Sequence, residues 1–462
     1  MRRVLSLGLT MLLAGCTLAP RYERPAPPTP SAFPQGGPYQ AAVASAAPLQ
    51  DWKTAFSDPR LQRLIQTGLT QNRSLRQTVA NVLAAHGQFE VQRSQLLPSL
   101  SANGSELQQH APAALGGNLQ PGRLYTANLA VSAYELDLFG RLRSQSEAAF
   151  QQYLASDEGR RAAQISLVAE IASAYLTLAA DQQLVSVSRQ TEQTAGQALS
   201  LIQSRFDAGI ASDLDVSQAE TVVQQARADA AGFAVAAAQA KDALDLLVGQ
   251  TVEVADLPVS LDEVAPTIAA TPVGLSSQVL LSRPDVLQAE HLLQAANAEI
   301  GAARAAFFPR ISLTGQDGFE SVSLSNLFQG ANRSWSFNPA VTLPLFAGGK
   351  NLGNLRTSQA QRDAAVAAYE NAVQSAFRDV ADALASAGGT VEQLSAQEAL
   401  VAAAGQTVKL ASARYDRGAD TYLNLLVAQR TLFAAQESLV KIKLANVSSR
   451  VTLYRALGGG AG

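Results

Sequence analysis

The sequence predicts a mainly α-helical fold with a few β-strands, laid out as two copies of one unit. Three observations predict it. Of 462 residues, 85 are Ala, while aromatics make up only 6 %. Ala is the best helix former and a poor core filler, so this composition points to long helices in thin-walled contact rather than to a thick globular core. The chain also repeats itself at a nearly constant offset. Finally, apolar and polar residues alternate at matched places in both copies, which is the period of a strand.

The repeat is long. Arg205-Phe206-Asp207-Ala208-Gly209 recurs as Arg414-Tyr415-Asp416-Arg417-Gly418, 209 residues later. The same offset carries Leu214 onto Leu423, Ala219 onto Ala428, Leu244 onto Leu453 and Gly249 onto Gly458. Pro98-Ser99-Leu100-Ser101 matches Pro309-Arg310-Ile311-Ser312, and Leu138-Phe139-Gly140-Arg141 parallels Leu345-Phe346-Ala347-Gly348. Four segments in one order indicate duplication. The expected units are 41–249 and 284–458, with a linker at 250–283 and a tail at 459–462.

The N-terminus sets the compartment. Arg2 and Arg3 precede a short apolar run, Val4 to Leu13, which is too short to span a bilayer. With the small residues that follow, 1–15 reads as a signal peptide. Leu13-Ala14-Gly15-Cys16 resembles the lipobox of bacterial lipoproteins, whose Cys becomes the mature N-terminus and carries acyl chains. The alternative is a secretory signal with an incidental Cys. Thr17, where an Asp would oppose it, favours outer-membrane sorting in such lipoproteins. Residues 16–40 are rich in Pro and read as an extended, lipidated tether.

Each unit then reads in the same order. A helix of about 25 residues (70–97 and 284–308) is followed by two strands with a loop between them. The expected strands are 98–108 and 124–138 in the first copy, and 309–319 and 334–346 in the second. Trp335, Phe337, Val341, Leu343 and Leu345 share one face; Ser334, Ser336, Asn338, Ala340 and Thr342 share the other. Leu129, Val131 and Ala133 alternate with Asn128, Ala130 and Ser132, and Ile311 and Leu313 with Ser312 and Thr314. A tilted transmembrane strand needs ~9–11 residues with this alternation, and a half-buried soluble hairpin would show the same pattern.

A long helix follows (141–208 and 349–415), then a short tip and a return helix (213–248 and 422–457). Ile165, Val168, Ala172, Leu176 and Ala179 form one stripe, continued by Leu199, Ile202 and Phe206 and echoed by Val408, Ala411 and Tyr415. Without Pro, such a helix runs about 100 Å at ~1.5 Å per residue, which is coiled-coil length. Four strands cannot close a barrel, and an open edge cannot lie in lipid. Other chains must complete it; two would give eight strands and three would give twelve. The fold class is thus mainly α with a transmembrane β-barrel.

Several functions are excluded. The net charge of -3 gives no electrostatic footprint for nucleic acid. One Cys rules out intrachain disulfides and a CxxC zinc site. His86, His110 and His291 are scattered, so no metal centre is expected. There is no nucleophile–base–acid spacing, dinucleotide loop or GxxxxGK[ST] motif, so the chain is not read as an enzyme. A structural or adaptor-type coiled-coil lipoprotein would explain the helices and the lipid, but not the matched strand pairs.

Taken together, these residues resemble the outer-membrane factors of tripartite efflux systems, the TolC/OprM/NodT-type channels. The most specific stretch is Arg283-Pro284-Asp285-Val286 through Ala289-Glu290, Ala295-Ala296-Asn297-Ala298 and Ile300-Gly301-Ala302-Ala303-Arg304 to Phe308-Pro309. Leu345-Phe346-Ala347-Gly348-Gly349 and Arg414-Tyr415…Gly418…Tyr422-Leu423…Ala428-Gln429-Arg430 also match. The resemblance implies a TolC-like homotrimer anchored in the Gram-negative outer membrane. Four β-strands per protomer would complete a 12-stranded barrel, and long coiled-coil helices would form a periplasmic α-barrel. A mixed belt would draw on 41–69, 250–283 and the tail. The implied function is passive export of small molecules received from an inner-membrane pump, often of the resistance-nodulation-division class, through a periplasmic adaptor. No cofactor is implied beyond the lipid on Cys16.

Mechanism is expected at the tips, 205–215 and 414–424. Gly209 and Gly418 suit left-handed helix ends. Asp213 and Asp420 precede the return helices as N-cap candidates, and Arg205 and Arg414 read as helix-end cations. By resemblance, Tyr415 and Leu423 occupy gating positions, with Arg414, Asp416, Asp420 and Arg417 as nearby charged candidates. Arg205, Asp207, Gly209, Arg414, Arg417 and Gly418 are adaptor-contact candidates. Val427 stands where some members carry the Asp of an acidic ring, so a Val/Leu ring would gate by narrowing and dewetting. Two loops, 107–123 and 320–333, would face the cell exterior as short caps.

Overall fold

The structure is a computed structural model, described over residues 17–39, 51–109, 122–270 and 276–459. The expected signal peptide, Cys16, His110 and most of the 107–123 loop lie outside these residues. In chain order the principal elements are helices α1 (Pro59–Gln71) and α2 (Arg73–Ser94) and strands β1 (Leu100–Gln109) and β2 (Gly122–Leu136). Helices α3 (Arg141–Asp207), α4 (Asp213–Val248) and α5 (Pro284–Ala305) follow. Strands β3 (Arg310–Ser321) and β4 (Arg333–Thr342) and helices α6 (Lys350–Asp416) and α7 (Tyr422–Ala456) complete the order. The duplication is visible in the lengths: α3 and α6 have 67 residues each, and α2 and α5 have 22 each.

The described residues divide into two compact units, to both of which α3 and α6 contribute. The first, built from 17–26, 81–109, 122–157 and 288–370, holds an antiparallel sheet in the order β1-β2-β3-β4. Its pairing puts Leu100, Leu129, Val131, Leu313, Trp335 and Phe337 on one face. Trp335 is 73 % exposed and Phe337 62 %. Large apolar side chains left bare in this way require a non-aqueous neighbour. The opposite face carries a hydrogen-bonded ladder of amides and hydroxyls, with Glu320 opposite Thr126 toward the loop end. Asn103 donates to Asn128, which donates to Gln316, and Ser105 meets Thr126 at 2.7 Å. At the helix end of the sheet, buried Glu135 takes a two-point bond from Arg141 at 2.9 and 2.7 Å and pairs with Arg310 at 2.6 Å.

Two strand expectations change. The register slips between Val131 and Tyr134, where Ala133 adopts φ 50° and its N–H turns to Thr314 Oγ1. This β-bulge makes Tyr134, not Ala133, the next residue on the apolar face. The expected strand 334–346 stops at Thr342, leaving Leu343 and Leu345 beyond it. Pro344 lacks an N–H and restricts the residue before it, so the ladder ends there. In the 320–333 loop two short 3₁₀ turns bury Leu327, and Phe328 packs edge-on against Phe319.

The second unit comprises 27–39, 51–80, 158–270, 276–287 and 371–459. Here the wall thickens, where the expected belt segments 51–69 and 250–270 pack on the helices. Phe56, Leu61, Ile65, Ile171, Tyr175, Leu176, Leu244 and Ile268 form a continuous core, each at most 2 % exposed. One window of α3 is apolar enough to cross a membrane, but half of it is buried in the fold. The bulky residues of this core come from segments far apart in the chain, so no local pattern marks them as one cluster. Asp58 caps α1 through the Arg60 N–H and also receives the Tyr175 hydroxyl at 3.1 Å. The single helix expected at 70–97 is broken at Asn72. Its side chain donates to the Leu247 carbonyl and accepts from the Leu75 N–H, starting α2 anew. The 250–283 linker buries Val252, Leu261, Val264 and Ile268. The Pro-rich segment is docked rather than free: Phe33 stacks on Phe377 at 5.0 Å, and Ser277 donates to the Pro30 carbonyl. On α3, Val168, Ala172, Leu176 and Ala179 are buried as the stripe requires, but Phe206 is 39 % exposed. In that last turn Arg205, not Phe206, faces the neighbouring tip.

Candidate functional site at two helix-turn-helix tips

Both tips lie in the second unit and share one apolar cluster. Ile202, Ala219, Tyr422, Leu425 and Leu426 are buried, with Val408, Ala411 and Tyr415 packed against them. The turns are copies of each other. Gly209 has φ 74° and Gly418 φ 69°, a backbone that L side chains adopt at a cost. Gly209 N–H donates to Phe206 and Ile210 N–H to Arg205; Gly418 N–H donates to Tyr415 and Ala419 N–H to Arg414. These bonds satisfy the last carbonyls of α3 and α6.

The return helices start differently. Ser212, not Asp213, is the N-cap of α4. Its hydroxyl oxygen accepts from the Asp215 N–H, and the Asp215 carboxylate accepts from the Ser212 N–H, a capping box. Asp213 is the first helical residue. Thr421 holds the N-cap position of α7 without a side-chain bond. Asp420 sits one residue earlier, where its carboxylate accepts from the Thr421 N–H at 2.8 Å, the Asn424 amide at 2.5 Å and Arg414 Nε at 3.1 Å. The Asn424 bond first, then the Thr421 N–H and Arg414, hold Asp420 below the usual carboxylate range.

Across the tips, Arg205 links the copies. Its guanidinium lies 4.6 Å from the Tyr415 ring centroid and 3.8 Å from the Asp416 carboxylate. Only 26 % of its side chain is exposed, so it is not a merely solvated helix-end cation. Tyr415 and Tyr422 face each other at 5.5 Å, and burial pushes the Tyr422 hydroxyl up to about 12, with Tyr415 and Asp215 adding to the shift. Asp207 accepts from Gln203, and Arg417 is exposed. Leu423 and Val427, one helical turn apart, point away from the cluster at 51 % and 55 % exposure. The Arg205 contact joins residues 210 positions apart, so only the repeat alignment hinted at it. The two remaining described His are in ordinary contacts: His291 meets Gln151 at 2.7 Å and His86 packs against Tyr153.

The sequence pattern of the outer membrane efflux protein family matches residues 64–250 and again 275–459, once over each copy. The chain belongs to the outer membrane efflux protein family. This efflux protein is 44 % identical to the toluene efflux pump outer membrane protein TtgC of Pseudomonas putida, over 99 % of this chain and 96 % of that one. It is 42 % identical to the outer membrane protein OprJ of Pseudomonas aeruginosa, over 99 % and 95 %. The crystal structure of the open state of the Neisseria gonorrhoeae MtrE outer membrane channel superposes with a TM-score of 0.87 at 36 % identity, covering 96 % of this chain and 98 % of that one. The fold is TolC-like, and the efflux protein is an outer-membrane channel.

Proposed function

We propose that three copies of this efflux protein assemble into one passive conduit. It takes small molecules from an inner-membrane pump and a periplasmic adaptor to the cell exterior, and Cys16 anchors each copy by its lipid. The observation that carries this reading is the sheet of the first unit. One face carries Leu129, Val131, Leu313, Trp335 and Phe337, with the exposed ion pairs Glu106–Arg123 and Asp317–Arg333 toward the loop end; the other carries a hydrogen-bonded ladder of amides and hydroxyls; and among the described residues β1 and β4 each have one neighbour. Such edges need pairing in lipid, and three sheets of four close a barrel of the size that leaves a wet lumen. A pump of the resistance-nodulation-division class would supply the energy. The pump sets the choice of cargo, and the relative named for toluene efflux suits an apolar substrate. The tips form the closed end, with Leu423 and Val427 as the apolar ring and Arg205, Arg414, Asp416 and Asp420 as its latches. The reaction is transport without covalent chemistry.

The test is conductance of the purified protein in a planar bilayer without nucleotide. Wild type should show low, single-size openings, and Leu423→Ser with Tyr415→Ala should raise the basal current severalfold. Absence of any channel activity would favour a spacer lipoprotein and overturn the conduit; an unchanged current in the double variant would remove these residues from the gate.

A further inference from the structure

The stretch Arg283 to Pro309 is the most specific part of the family resemblance, yet conduction assigns it no work. Helix α5 within it carries Glu290, Asn297, Gly301 and Arg304 at the spacing of one helix face. Against that face lies the segment from Thr17 to Arg24, running antiparallel to the helix. Arg24 grips Glu290 at two points, 2.8 and 2.6 Å, and the Tyr22 hydroxyl donates to the same carboxylate at 3.1 Å. Asn297 donates to the Pro20 carbonyl at 2.8 Å and Arg304 to the Leu18 carbonyl at 3.1 Å. A Cβ on Gly301 would stand 2.7 Å from the Ala19 nitrogen, so glycine alone leaves room for the segment. Thr17 Oγ1 ends the run 3.0 Å from Ser144 Oγ, in the first turn of α3. The two lengths agree. From Glu290 to Arg304 the helix rises about 21 Å at ~1.5 Å per residue, and extended chain from Leu18 to Arg24 spans about 20 Å at ~3.3 Å per residue.

We propose that this face of α5 is a docking track for the chain's own N-terminal segment, and that it works as a ruler fixing the height of the lipid anchor. Cys16 precedes Thr17 in the sequence and is therefore within one Cα step of ~3.8 Å of it. Thr17 is held beside the last turn of α5 and the first turn of α3, the turns that lead into β3 and out of β2. The acyl chains therefore enter the bilayer at the helix-side rim of the sheet, with no slack in the tether. The placement of the lipid rests on the proposed acylation of Cys16; the track does not.

Trypsin tests both separately. The bond after Arg21 lies inside the docked segment, whereas Arg24 is shielded by Pro25. On purified, heat-resistant trimers, Arg24→Glu and Arg24→Gln should speed cleavage after Arg21 at least tenfold. Arg24 is 45 % exposed, so these changes leave helix packing alone. Gly301→Val, which fills the track without altering charge, should do the same, and Arg24→Glu with Glu290→Arg should restore slow cleavage. A wild-type rate in Arg24→Glu or in Gly301→Val overturns the track. The mass of the released Cys16–Arg21 peptide reads acylation independently: an unmodified peptide refutes the anchor while the rates still decide the track.

Discussion

At the residue scale, the tips are held by a few polar contacts laid over a small apolar cluster. Arg205 contributes a cation–π contact of about 0.5–1 kcal/mol and an ion pair worth no more than about 1 kcal/mol at such exposure. Arg205→Ala should therefore raise basal current in a planar bilayer without harming assembly. Arg205→Lys should recover little of the loss, because a point charge does not stack on Tyr415 as a guanidinium plane does. Asp420 fixes the pH response of the other latch. Its carboxyl is held below the usual range, so its bonds to Asn424, Thr421 and Arg414 are complete above ~3.9, the free Asp value. They are lost only as pH falls through the depressed value. Acidifying from pH 7 to pH 5 should leave this latch shut, while Asp420→Asn should leak already at pH 7; a current that climbs between those pH values in wild type but not in the variant would contradict the assignment. In the core, burial pushes Asp58 up, but Arg60 and Tyr175 outweigh it and hold it low. Its stabilising bonds are thus present above the ordinary carboxylate range and lost below it. Asp58→Ala leaves the buried Tyr175 hydroxyl and the α1 N-terminus without their acceptor and should cost about 1–3 kcal/mol, seen as a lower melting temperature at neutral pH.

At the element scale, the sheet depends on where side chains are absent. A side chain at Gly318 would collide with the β2 backbone at Ala127 and Asn128. Gly318→Val should abolish the proposed heat-resistant assembly in the outer membrane, whereas Ala133→Gly, which relieves a positive φ of 50°, should be neutral or stabilise by up to about 1 kcal/mol. Correct trimer yield from Gly318→Val would show that β2 and β3 do not pair as described. The elements themselves were legible because period two and period 3.6 are local, and because each pattern occurs twice. Trp335 and Phe337 announced β4, and Val168 to Ala179 announced the packed side of α3. What escaped were features made by distant or single residues. The bulge at Ala133 has no composition signal, the Asn72 break needs the Leu247 carbonyl to explain it, and the Ser212 cap was masked by two neighbouring Asp. The Phe56–Tyr454 edge contact at 5.2 Å joins the beginning and the end of the chain.

At the scale of the whole molecule, the protein is a part rather than a machine. Among the described residues β1 and β4 each pair with one strand, its tips end in exposed Leu423 and Val427, and its sequence carries no phosphate loop. A conduit of this kind has no output without its driver. If the proposed conduit is right, deleting the chain, its pump, or both should produce the same gain in sensitivity to the compound that pump exports; additive effects would mean that the conduit serves a second pump.

The duplicated turns at Gly209 and Gly418 began as one design and have diverged. One return helix is launched by Ser212 and Asp215, the other by the Arg414–Asp420–Asn424 cluster. In a ring of three chains, six sockets of equal backbone shape would thus alternate between two chemical dialects. A docking protein that meets both kinds of socket in the proposed ring would therefore bind the two with unequal affinity.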